Sequence, residues 1–342
     1  MSGFLILDTD DAKDLKHLTL AAESAGFHGL VFPAGEGLDP VQRAAFAGPQ
    51  THAIALIPEV DTVYTEPFHV ATQLATLDYA SRGRGGWLVV ASDDARAAAA
   101  VGRPAADERR RRLEAAASVE ANRRLWDSWE DDAVIKDVAS GRYLDADRLH
   151  YADFRADFGD GEGYSVKGPS IIPRPPQGQL PVLAPSALVS LDGPLWPEEV
   201  DAVLVSASSV DVLRAELGRL REAYGFRQDG GPALVAELSV ALDARGLPAS
   251  TTDTALGGDG ARFTGSAEAL AGVVAHLLEL ADGVRLRASS LVTELPELAA
   301  VTLPLLRERG VLRPLRAGNT FRDILGLGRP ANRHTLTAGA RA

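Results

Sequence analysis

Eight short apolar runs recur along this chain, separated for the most part by segments of helical period. FLIL (4–7), GLVF (29–32), HAIALIPEV (52–60), WLVVAS (87–92), PVLAP (181–185), AVLVS (202–206), ALVAELSVAL (233–242) and GVRLRAS (283–289) each read as a strand. Helical segments follow at 11–25, near 40–47, and at 67–80, 107–127, 208–224, 265–281 and 294–309. Gly26, Gly225 and Gly310 stand where three of them end, the pair Asp107 and Glu108 opens the fourth, and a Gly-Ser cap opens the sixth. Short strand runs alternating with longer helical segments are the pattern of an α/β fold. Eight of them with helical links predict an α/β (β/α)8 barrel, a TIM barrel, rather than an open doubly wound sheet.

Residues 130–178 break the rhythm with Gly, Asp, Tyr and Pro. They are too few and too polar for a core of their own, so they read as an insertion after the fourth βα unit. The expected organisation is one barrel domain over 1–342, with that insertion and a polar, Pro/Gly-rich extension over 311–342.

Composition narrows the functions. The 342 residues carry a net charge of −12, and the one basic run is RRRR at 109–112, which argues against nucleic acid and anionic membrane as partners. Cysteine is absent, so thiolate nucleophiles, thiolate metal sites and disulfides are excluded together. The seven histidines show no HxxxH or HExxH spacing, and no metal is expected. No apolar stretch reaches membrane-spanning length and MSGFLILDTDDAKD lacks a signal-peptide core, so the expected location is the cytoplasm. The glycines of SRGRGG (81–86) precede a strand rather than opening a helix, so they cannot place a phosphate on a helix N-terminus.

Four stretches carry a family resemblance. They are TVYTEPFHVATQLATLDYASRGRGGWLVVAS (62–92), LWDSWEDDAVIKD (125–137), YSVKGPSIIPRPPQGQLPV (164–182), and PLLRERGVLR with GNTFRDILGL (304–313 and 318–327). In this order they resemble the bacterial luciferase-like flavin monooxygenases, in particular the nitrilotriacetate and dibenzothiophene-sulfone monooxygenase group. The resemblance implies a dimeric (β/α)8 barrel and oxygenation by reduced flavin at the C-terminal face. It also implies pairing through helices beside the early strands, for which VATQLATLDYA (70–80) is the matching apolar stretch.

At the flavin-contact positions the chain departs from that pattern. Ala34 stands where relatives close the second strand with Asp, Leu88 and Ala91 stand for the Asn and Thr of GWNVVTS, and Ala106 and Arg110 for the His and Tyr of HDERY. In place of a phosphate-cradling QAGSS-like turn the chain has PVLAPSALVSLDG, with Pro185 removing an amide donor. Ser92 matches a family serine and, with Arg110, is the remaining cofactor-binding candidate; Ser92 equally caps its strand. No catalytic residue is assigned.

Glu59 and Asp61 would suit a cation or acid–base pair, but read preferentially as a solvated loop pair, and the arginines of 109–112 as a solvated helix face apart from Arg110. Arg110 would point its charge into the mouth. His69 reads as a packed residue, and Trp126 and Trp129 as core. Each lost polar contact is worth about 1 kcal/mol. The preferred reading is therefore a cofactor-poor partner subunit or pseudoenzyme, with no cofactor expected, in a homodimer or a heterodimer with a luciferase-like paralogue. The alternative is an FMN- or deazaflavin-dependent monooxygenase acting on a small organic substrate with O2, with a flavin reductase as its companion.

Overall fold

The computed structural model describes residues 2–9, 14–35, 37–159, 161–225, 231–243 and 260–335. Its elements in chain order begin β1 (Phe4–Asp8), α1 (Leu15–Ala25), β2 (Gly29–Phe32), α2 (Pro40–Ala47), β3 (Ala55–Asp61), α3 (Pro67–Ala80), β4 (Trp87–Val90), α4 (Ala95–Ala100) and α5 (Glu108–Trp126). The interrupted region then carries β5 (Val134–Asp137), β6 (Arg142–Leu144), β7 (Phe154–Asp157) and β8 (Gly163–Val166). The alternation resumes with β9 (Val182–Pro185), β10 (Ala202–Val205), α6 (Val210–Tyr224), β11 (Ala233–Leu242), β12 (Arg262–Gly265), α7 (Ala267–Leu277) and β13 (Gly283–Ala288). It ends in α8 (Leu291–Glu297), α9 (Leu303–Glu308) and α10 (Phe321–Leu325).

Eight strands close a parallel barrel in the order β1, β2, β3, β4, β9, β10, β11, β13, with β13 returning to β1. Period-two alternation divides the apolar residues between two layers. Phe4, Ile6, Val31, Ala55, Ile57 and Leu88 belong to the inner cluster, while Leu5, Leu7, Leu30, Leu56 and Val89 join the helices outside. The expected barrel is thus the observed one. The third strand starts at Ala55 rather than at 52, because the amides of His52, Ala53 and Ile54 all donate to Glu23 Oε1 at 2.7–3.1 Å. The helix expected over 294–309 begins at Leu291 and passes through a π turn over 298–302, since Pro296 and Pro304 cannot donate to the ladder. Residues 11–13, expected in the first helix, lie outside the described residues.

The Gly-rich turn before β4 builds the floor of the barrel. The Arg84 side chain is 3% exposed and donates to Thr51 Oγ1, Ile54 O, Gly48 O and Thr51 O at 2.7–2.8 Å. The Phe321 amide donates to Gly83 O, and a Cβ on Gly86 would lie 2.6 Å from the Phe321 ring. Phe321, Ile324 and Leu325 thereby complete the inner cluster at the N-terminal end. The polar extension expected after 311 therefore includes the barrel's plug.

The region 130–178 folds as two antiparallel hairpins, β5–β6 and β7–β8. Alternate residues Phe154 and Ala156 are buried, and the guanidiniums of Arg110 and Arg124 on α5 lie over Phe158 and Phe154. Trp126 and Trp129 are core, as expected, their indoles donating to Ala71 O and Ser170 O. In the stretch 70–80, Val70, Ala71, Leu74, Ala75 and Leu77 are at most 1% exposed, while Tyr79 is 46% exposed. Among the described residues no helix is long and apolar enough to cross a membrane.

Asp78 joins three distant segments. Its carboxylate accepts from Gln177 N, Gln177 Nε2 and Gly85 N, while Gln177 Oε1 accepts from Arg322 N. Burial pushes the Asp78 pKa up to about 6, against the pull of these donors. A carboxyl whose folded pKa lies above its unfolded value of about 3.9 stabilises the fold fully below that value, and its contribution is lost as pH rises through 6. Urea unfolding of Asp78→Asn across pH 4 to 7 should lack that decline, worth about 3 kcal/mol at most in the parent. An unchanged slope would remove Asp78 as its source.

Candidate functional site

In a (β/α)8 barrel the C-terminal strand ends are where side chains of separate strands converge. Here the inward positions change from apolar to charged at that end. Phe4 and Ile6 lead to Asp8 on β1, Ala55 and Ile57 to Glu59 on β3, and Ala233 and Val235 to Glu237 on β11. On β13, Gly283 leads to Arg285 and Arg287. These residues form one network. Arg285 grips Asp8 bidentately, Nε to Oδ1 at 2.6 Å and Nη2 to Oδ2 at 2.7 Å. It also donates to Glu237 Oε1 at 2.9 Å and to Glu59 Oε1 at 2.7 Å. Arg287 Nη2 donates to the same Glu237 oxygen at 2.7 Å.

The Arg285 side chain is 3% exposed. Burial works against its charge, but Asp8, Glu237 and Glu59 together overcome that and hold its pKa above the ordinary range. Three carboxylates against two guanidiniums leave one negative charge in excess, and burial pushes Asp8 up against the pull of Arg285. A buried ion set of this kind keeps its place only when its hydrogen bonds are satisfied. The inward side chains at the C-terminal ends of these four strands are accordingly paired charges.

Glu59 and Asp61 are therefore not a solvated loop pair. Glu59 Oε2 also accepts from the Ala34 amide at 3.1 Å. Asp61 accepts from Val63 N and Ser92 N through Oδ1 and from Tyr64 N through Oδ2, pinning the loop after β3 to the end of β4. Ser92 Oγ accepts from Asp94 N at 3.1 Å, opening α4.

The other positions singled out in the sequence are dispersed around this mouth. Leu88 lies within the inner cluster, 2% exposed. Ala34 is exposed, and Ala91 is half-buried with its carbonyl accepting from Arg111. The Ala106 amide donates to the Tyr64 hydroxyl at 2.9 Å. Arg110 turns to Glu114, Nε to Oε1 at 2.8 Å, pairs with Glu162 at 3.2 Å, and stacks 4.0 Å over the Phe158 ring. Beyond Pro185 the Ser186 amide donates to Leu204 O and the Leu188 amide to Pro185 O, so both are spent within the chain.

His69 is exposed rather than packed; its amide donates to Glu66, and its side chain has no hydrogen bond among the described residues. His28 is buried, accepts from Leu5 N at Nδ1 and so donates from Nε2 to Arg313 O, and burial lowers its pKa to about 4. Among the described residues no cluster of His, Asp and Glu has a geometry that could hold a metal.

Sequence reasoning missed Asp8, Glu237, Arg285 and Arg287. The available signal was in GVRLRAS: two arginines at alternate positions of a barrel strand both point inward and require acids there. Asp8 and Glu237 are the lone acids of otherwise apolar strands.

The sequence pattern of the family described as luciferase-like monooxygenase matches residues 3–246. The dibenzothiophene-sulfone monooxygenase of Rhodococcus erythropolis is 32% identical over 188 residues, 55% of this chain; the match spans 40% of that relative's length. A pristinamycin IIA synthase subunit of Streptomyces pristinaespiralis is 30% identical over 325 residues, 93% of this chain and 90% of that protein. Among solved structures, riboflavin lyase with modified FMN and riboflavin superposes with a TM-score of 0.77 over 100% of both chains at 20% identity, a likeness of fold.

Proposed function

The chain belongs to the luciferase-like monooxygenase family, and we propose that within it the protein serves as a partner subunit whose own barrel mouth holds no flavin. The observation that carries this reading is the Arg285 network. It occupies the C-terminal strand ends, the part of a (β/α)8 barrel where a ligand is held. A flavin ring seated among these side chains would compete with charge-assisted hydrogen bonds, each about twice as strong as a neutral one.

The replaced positions support the same reading. The Leu88 isobutyl group and the Ala34, Ala91 and Ala106 methyls provide no side-chain hydrogen bond, and Arg110 is committed to Glu114. A polar ring edge buried without a partner costs about 1–3 kcal/mol per group. The relative matched nearly end to end is itself described as one component of a synthase. A luciferase-like paralogue is the partner this reading calls for, met in the cytoplasm.

A second reading is an FMN- or deazaflavin-dependent monooxygenase supplied by a flavin reductase. It is favoured by the 32%-identical relative, which is named as a monooxygenase. FMN fluorescence titration separates the two. The partner-subunit reading expects a colourless protein and no saturable quenching up to 100-fold above a low-micromolar concentration, about 3 kcal/mol weaker than a functional site. A dissociation constant in the low micromolar range or below, for FMN or a deazaflavin, would establish the second reading instead.

A further inference from the structure

A cleft of about 570 Å3 opens between the C-terminal end of α3, the β5–β6 hairpin and residues 172–176, in the size range of small-molecule sites. Tyr79, Tyr143, Ile172, Pro173 and Pro176 give it an apolar lining, with the two tyrosines 46% and 59% exposed. The Tyr79 hydroxyl donates to Arg174 O at 2.8 Å, which fixes the ring and spends its polar end.

The charges around the cleft are matched, with one exception. Arg174 donates to Asp127 and to both oxygens of Asp131, and Arg329 grips the same Asp131 bidentately at 2.6 and 2.8 Å. The Arg329 and then the Arg174 hydrogen bonds hold the Asp131 pKa down to about 2, so it stays ionised and committed. Glu130 is held by Arg148 and His150. Lys136 also lines the cleft, and it has no hydrogen bond or ion pair among the described residues.

Its backbone is unusual as well. Lys136 has φ +48°, in the left-handed region, where β5 and β6 lose register between Val134 and Asp137. A bulge of this kind re-aims a side chain.

We infer that this cleft is a binding site for a planar aromatic carboxylate, its rings against Tyr79, Tyr143 and the prolines and its carboxylate on Lys136. The cleft is separate from the barrel mouth, and the inference does not depend on whether a flavin binds there. Aromatic stacking and one solvent-exposed ion pair together suit an affinity of hundreds of micromolar.

Calorimetric titration of the full chain with 2-naphthoate, and with 2-naphthylmethanol as its uncharged counterpart, tests this. The expected result is saturable 2-naphthoate binding, at least fivefold tighter than the alcohol, and weakened at least fivefold in both Lys136→Gln and Tyr143→Ala. Both residues are exposed, so the variants should keep the parent circular dichroism spectrum. No saturable heat at millimolar 2-naphthoate overturns the proposal. So does binding that is unaffected in either variant, or equal affinity for the alcohol.

Discussion

Replacing Arg285 by leucine should cost about 3–5 kcal/mol of unfolding free energy at neutral pH, more than any other single substitution at the barrel mouth. The substitution removes the shared partner of Asp8, Glu59 and Glu237 and leaves three carboxylates in a space where the guanidinium was 3% exposed. Arg287 cannot replace it, since it reaches Glu237 at 2.7 Å but Asp8 only at 3.7 Å. The loss should also depend on pH. Without Arg285 the Asp8 carboxyl, already pushed up by burial, loses the charge that pulls its pKa down. Protonation then favours the fold, and stability is recovered below about pH 4 and lost as pH rises toward neutrality. Urea midpoints of the parent and variant should therefore converge at low pH and diverge above it. A combined variant that also replaces Asp8, Glu59 and Glu237 by their amides should regain part of the lost stability, because the penalty lies in the unpaired charge. A variant penalty independent of pH would show that Arg285 acts through packing alone.

The barrel was legible because its strands are buried on both faces and so appear as continuous apolar runs, a signal that survives without any knowledge of partners. The charge network was not legible in the same way. Arg285 is 277 residues from Asp8, 226 from Glu59 and 48 from Glu237, and strand periodicity gives the facing of each residue but not its neighbours across a closed barrel. Glu59 and Asp61 were misread as solvated for that reason. Both stand on inward positions of a strand that continues further than its apolar run, Glu59 meeting Arg285 of β13 and Asp61 the Ser92 amide just past β4. The hairpins of 130–178 have strands of only 3–4 residues, too short for alternation to emerge from a polar background. The positions aligned with flavin contacts were readable from motif phrases, yet their side chains scatter: Leu88 into the core, Arg110 toward Glu114 and the β7–β8 hairpin.

The tail helix was the hardest element to read, because five residues cannot show a helical period, and its role is expressed through a glycine 235 positions earlier. Phe321 is fully buried in the inner cluster, and truncation to alanine should cost about 3–5 kcal/mol. Gly86→Ala should also destabilise, by about 1–3 kcal/mol, since its new Cβ would sit 2.6 and 2.7 Å from two ring carbons of Phe321, closer than real contacts allow. The ring cannot swing aside freely, because the Phe321 amide is held by Gly83 O and the following Arg322 amide by Gln177. The two substitutions should therefore not add. In Phe321→Ala the space that Gly86→Ala would have invaded is vacated, so the second methyl meets no ring. The double variant should be more stable than the sum of the single losses by about 1–3 kcal/mol. Chemical unfolding of the four proteins measures this coupling directly. Additive losses would mean that Phe321 does not rest on Gly86, and the glycine would then be required only for its backbone.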